Sequence, residues 1–102
     1  MDHHEAIAAS IREIREAIGL SQREAADRIG CTNVHLCELE SGRQNFTFAM
    51  LDEISSAYKE DVVIYAVIFH LDLGYFPPVA RPAIKAARTL GPKIKKEKPC
   101  KQ

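Results

Sequence analysis

The chain has too few cysteines, too irregularly placed, for a disulfide framework or a structural zinc site. Cys31, Cys37 and Cys100 are an odd number with no Cys-x-x-Cys pair, and free thiols fit a reducing compartment. Nowhere does an apolar run approach the about 18–20 residues of a membrane helix. The opening Met-Asp-His-His-Glu lacks the basic stretch leading into an apolar one that marks a secreted chain. A cytoplasmic protein without membrane contact is expected. Also missing are a Gly-x-Ser-x-Gly elbow, a glycine-rich phosphate loop, a carboxylate pair and a His–Cys set with catalytic spacing. His35 and Cys37 are two apart and so point apart on a helix. His3 and His4, which are terminal, and His70, lone on an apolar helix, have no thiol or carboxylate at ligand spacing, and a solvent or core role is expected for each. No catalytic residue, metal, cofactor or small-molecule ligand is expected.

Positive charge is scarce over most of the chain. The net charge is zero, but residues 1–76 hold only Arg12, Arg15, Arg23, Arg28, Arg43 and Lys59 against thirteen acidic side chains, a net −7. Residues 77–102 hold eight basic side chains against Glu97, a net +7. The chain is an acidic body with a basic extension. Nucleic-acid binders gather positive charge because counterion release from phosphates supplies non-specific affinity, and the body alone does not show that excess.

What the sequence does have is helix punctuation. With 102 residues, 46% apolar and 27% charged, it suits one small globular domain. Ile7, Ile11, Ile14 and Ile18 form a single apolar stripe on a first helix that Gly19 ends. Ser21 and Glu24 make a capping box for a second, closed by Gly30. Thr32 caps a third, with Leu36 and Leu39 inward and Gly42 as its left-handed end. Thr47 caps a fourth, whose inward face is Met50, Leu51, Ile54 and Ala57. After Asp61, ten of the twelve residues from Val62 to Leu73 are apolar and five are β-branched, so periodicity leaves helix or strand open there. Pro82 at the first position opens a short basic helix to Leu90, and from Pro92 the Lys-rich text reads as disordered.

Two short helices joined by a tight turn, Ser21–Ile29 and Thr32–Ser41, make a helix-turn-helix. The run from Ile11 to Tyr58 resembles the Cro-like, or xenobiotic-response-element (XRE), helix-turn-helix domain of phage repressors and small bacterial regulators. The resemblance rests on Ser21-Gln22 opening helix two, small Ala26 at the helix crossing, Gly30 in the turn, and Leu39-Glu40-x-Gly42 closing helix three. It implies an all-α, five-helix lambda-repressor-like domain over residues 1–76, with Val62–Leu73 as its fifth helix. Residues 77–102 are then a basic, partly disordered extension.

The resemblance also implies double-stranded DNA as partner, with helix three in the major groove and helix two across the backbone. Thr32, Asn33, Val34 and Glu38 fall where the family reads bases. Asn can pair with adenine N6 and N7, Val can touch a thymine methyl, and Glu can accept from cytosine N4. Gln22, Arg23, His35, Arg43 and Asn45 fall where it contacts phosphates. Each has a plain alternative: Gln22 as a solvated first-turn residue, His35 as a half-buried histidine, Arg43 as the partner of Glu40, helix three as a solvated acidic helix. Tyr65, Ile68 and Phe69, in a segment too apolar for four short helices to cover, are candidates for a homodimer interface. The expected function is a transcriptional regulator, a repressor, reading a pseudo-palindromic operator. The acidic body and Glu38 motivate the alternative of an interaction module, antitoxin-like, that keeps the fold without strong DNA binding. Arg81, Lys85, Arg88, Lys93, Lys95, Lys96 and Lys98 offer sequence-independent phosphate attraction or simple solubility.

Overall fold

The computed structural model describes residues 2–96; Lys98 and Cys100 lie outside them. Six α-helices and one 3₁₀ turn make up its regular structure, with no strand among the described residues.

Local chemistry sets the helix starts. Helix α1 (His3–Ile18) opens on a capping box in which Asp2 accepts from the Glu5 N–H at 2.8 Å and Glu5 accepts from the Asp2 N–H at 3.1 Å. Ser21 and Glu24 do the same for α2 (Gln22–Ile29), at 3.1 and 2.9 Å. Single side-chain caps open α3 (Asn33–Ser41) from Thr32, α4 (Phe48–Tyr58) from Thr47 and α5 (Val62–Phe69) from Asp61. The first three helices all end on glycines in the left-handed region. At Gly42, with φ of 81°, a Cβ would also lie 3.6 Å from the His4 ring.

One core joins α1 to α5. Ile11, Ile14 and Ile18 from α1 meet Ala25 and Ala26 of α2, Leu36 and Leu39 of α3, Leu51, Ile54 and Tyr58 of α4, and Val62 of α5. Ala25 and Ala26 are small because the start of the helix-turn-helix packs closely against its neighbours. A second cluster, Ala6, Ala66 and Leu71, joins α1 to the end of α5. Across that junction the Glu13 carboxylate accepts from the Tyr65 hydroxyl at 2.8 Å and lies 2.9 Å from His70 Nε2. His70 is therefore a polar tie between α1 and the end of α5.

Two spans differ from expectation. The apolar segment Val62–Leu73 is helical only to Phe69. Leu71 turns inward onto Ala6 and Ala66, and the Arg88 guanidinium takes the carbonyls of Ile68 and Leu71 that the ended helix leaves free. The last helix, α6 (Arg81–Leu90), places Pro82 second rather than first and packs on α5. Arg81 donates to the carbonyls of Leu73 and Phe76, both at 3.1 Å. Arg81 and Arg88 thus fasten the extension to the body, while Lys85, Lys93, Lys95 and Lys96 stay exposed. From Pro92 to Lys96 the chain is irregular, and Ile94 packs on the main core.

Candidate nucleic-acid interface

Leu36 and Leu39, both at most 1% exposed, anchor α3 on its inner side. Helical spacing then sends Asn33 with Cys37, and Val34 with Glu38, outward in pairs four apart. Asn33 and Cys37 are exposed, Val34 is 68% exposed, and Glu38 is half-buried. Thr32 is exposed too, but its hydroxyl oxygen accepts from the His35 N–H at 3.0 Å, so it is at once the helix cap and a candidate reader with one O–H left to donate. His35 is half-buried at the side of this face.

A buried ion pair sets how α3 sits. Arg15 donates through Nε and Nη2 to the two oxygens of Glu40, at 2.7 and 3.1 Å, and through Nη1 to the Leu20 carbonyl at 2.9 Å. The side chains are 10% and 4% exposed. Burial by itself would lower the pKa of Arg15, but the hydrogen bond and charge of Glu40 outweigh it and hold the guanidinium above its ordinary value. Gln22 completes the node, its amide donating to Glu40 at 3.0 Å. Sequence reasoning missed it because Arg15 and Glu40 stand twenty-five residues apart.

Two consequences follow for the candidate site. Glu40 is sealed inside and neutralised, so α3 presents Glu38 rather than two carboxylates to its surroundings. With Glu40 held by Arg15, the ion pair weighed for Arg43 does not form, and Arg43 is exposed. The Gln22–Glu40 bond also brings the start of α2 beside the last turn of α3. Gln22 is half-buried, Arg23 exposed, and the first N–H groups of α2 have no intrahelical acceptor. Arg43 and Asn45, both exposed, follow at the same end of α3. Four of the phosphate candidates are thereby gathered at one end of α3.

The loop after α3 is braced from two sides. His4 Nε2 lies 2.8 Å from the Gly42 carbonyl and its ring packs on Phe46 with centroids 4.9 Å apart. His4 therefore braces this loop from the start of α1. On the other side Gln44 donates its amide to Glu38 Oε1 at 3.0 Å. Of the two cysteines among the described residues, Cys37 is exposed on α3, while burial raises the pKa of the half-buried Cys31 thiol, with the nearby charge of Glu53 adding to it.

Away from this face, Tyr65, Ile68 and Phe69 are half-buried along a groove of about 360 Å³, whose far wall is Ala87, Leu90 and Ile94. No described helix is long and apolar enough to cross a membrane.

A family model described as Helix-turn-helix matches residues 11–64, the span from mid-α1 into α5. No curated protein matches the chain in sequence. Among solved structures, the clp gene regulator ClgR from C. glutamicum is similar at 30% identity and a TM-score of 0.61, over 66% of this chain and 90% of that one. With more than half its residues under the family model, and the capped helices, glycine turn and anchored third helix in place, the chain belongs to the XRE helix-turn-helix family of DNA-binding regulators.

Proposed function

We propose that the protein is a sequence-specific transcriptional regulator, a repressor, that acts as a homodimer on a pseudo-palindromic operator. The observation that carries the reading is the outward face of α3: Asn33, Val34 and Glu38 stand clear of the core on a helix pinned by Leu36, Leu39 and the Arg15–Glu40 pair. Thr32, Asn33, Val34 and Glu38 are the base readers. Gln22, Arg23, His35, Arg43 and Asn45 hold the phosphates and so fix the register of α3 in the groove. Residues 1–76 form the DNA-binding unit and residues 77–102 an extension that α6 docks on α5.

One short helix makes few base contacts, and two-fold pairing doubles them. Tyr65, Ile68 and Phe69 are the pairing surface in this reading, supported by the apolar groove they line. The net −7 of residues 1–76 supports a competing reading, an interaction module that binds an acidic partner or nucleic acid only loosely through its basic extension. Selection of bound sequences from a pool of random duplex DNA separates the two. A two-fold symmetric motif is the expected result; recovery of no motif, with binding that salt abolishes equally for all sequences, supports the interaction module instead.

A further inference from the structure

Gln44 takes no part in the helix-turn-helix pattern, yet its side chain reaches back six residues to Glu38. Its amide Nε2 donates to Glu38 Oε1 at 3.0 Å, and the contact is half-buried. Glu38 is held at its main chain as well: its carbonyl accepts from the Arg43 N–H and from the Ser41 hydroxyl, both at 3.0 Å. The Glu38 carboxylate is thus tethered by Gln44 of the loop that follows, and its main chain is held by Ser41 at the end of α3 and by Arg43.

We propose that Gln44 is a positioning residue that turns Glu38 into a reader of bases, cytosine or adenine, that offer an amino donor on the strand it faces in the major groove. The proposal rests on the DNA reading above. A glutamate has three rotatable bonds, and a carboxylate free to swing can turn away from an unfavourable base edge. Tethered at Oε1, it presents Oε2 in one direction, and an ionised carboxylate can only accept. Cytosine N4 and adenine N6 offer a donor there. Guanine offers two acceptors, N7 and O6, and thymine offers O4 beside a methyl group. A fixed acceptor facing those acceptors is left unpaired and repelled, so the tether converts a flexible acid into a rule against guanine and thymine. Because Arg43 and Asn45 flank Gln44, phosphate contact by the loop also sets the height of this reader over the bases.

The test uses the 102-residue chain and a pool of random duplex DNA, followed by titration of duplexes carrying each of the four base pairs at every position of the selected motif. In the parent protein, one position per half-site should favour cytosine or adenine, and Glu38→Ala should erase that preference. Gln44→Leu, close to glutamine in volume but without the amide, should reduce the discrimination at the same position by about tenfold. Its melting temperature and its affinity for random duplexes should match the parent. If Gln44→Leu keeps the full discrimination, or weakens all duplexes equally, Gln44 does not position a reader. If the parent selects a motif that Glu38→Ala leaves unchanged, this inference fails while the DNA reading stands. If the parent selects no motif, both fail.

Discussion

Tyr58 and Asn33 face opposite ways. Tyr58 points into the core, 1% exposed, with a hydroxyl that meets no hydrogen-bond partner. A buried hydroxyl without a partner costs about 1–3 kcal/mol, so Tyr58→Phe should leave the fold at least as stable as the parent, as measured by urea unfolding. Burial, with the charge of Glu40 adding to it, raises the pKa of this phenol, and burial and the Glu13 bond raise that of Tyr65. A group whose folded pKa is raised contributes stability below its unfolded pKa and loses it above. Stability should therefore hold through neutral pH and fall once pH passes about 10, the ordinary tyrosine value. The alkaline fall should be smaller in Tyr58→Phe. Asn33 points outward, and Asn33→Ala should cost about 1–3 kcal/mol at the preferred DNA site and relax the choice at one base pair. Arg43→Ala should instead weaken every sequence alike and reduce the salt slope by about one. Equal slopes for Arg43→Ala and the parent would remove Arg43 from the phosphate contacts.

At the scale of elements, the Arg15–Glu40 pair holds the end of α1, the start of α2 through Gln22, and α3 in one arrangement. Removing one partner leaves the other charge buried and uncompensated, so Arg15→Ala should lose about 3–5 kcal/mol in urea unfolding. Arg15→Met with Glu40→Leu should recover most of the loss, because two apolar side chains of similar size remove the orphan. The helix starts were legible in the sequence because capping acts over three residues: Ser21 with Glu24, Thr32, Thr47 and Asp61 all cap as their spacing indicates. Asp2 with Glu5 carries the same three-residue signal. The end of α5 was not legible, since a uniformly apolar run has no periodicity to break. It stops where Leu71 meets Ala6, sixty-five positions back in the chain, and Arg88 comes from beyond it. The outward face of α3 could be read from Leu36 and Leu39 alone. The node behind it and the Gln44 tether could not, because long-range packing brings their residues together.

For the whole molecule, the division into acidic body and basic extension changes meaning once folded. Glu40 is sealed against Arg15, and Arg81 and Arg88 cap carbonyls of the body, so formal counts along the chain misstate what the surface offers. Assembly belongs to this scale as well. Ile68→Asp or Phe69→Asp should give monomers or insoluble protein in sedimentation, since both half-buried residues line the apolar groove assigned to the pairing surface. A parent that sediments as a monomer at high concentration would remove the dimer from the account. Amide chemical-shift mapping of the 102-residue chain with its selected duplex would show whether α3 meets DNA with the start of α2 and the loop after α3 beside it. The largest changes should fall on Gln22–Arg23, Thr32–Glu38 and Arg43–Asn45. Changes confined to α5, α6 or the extension, with α3 unmoved, would contradict it.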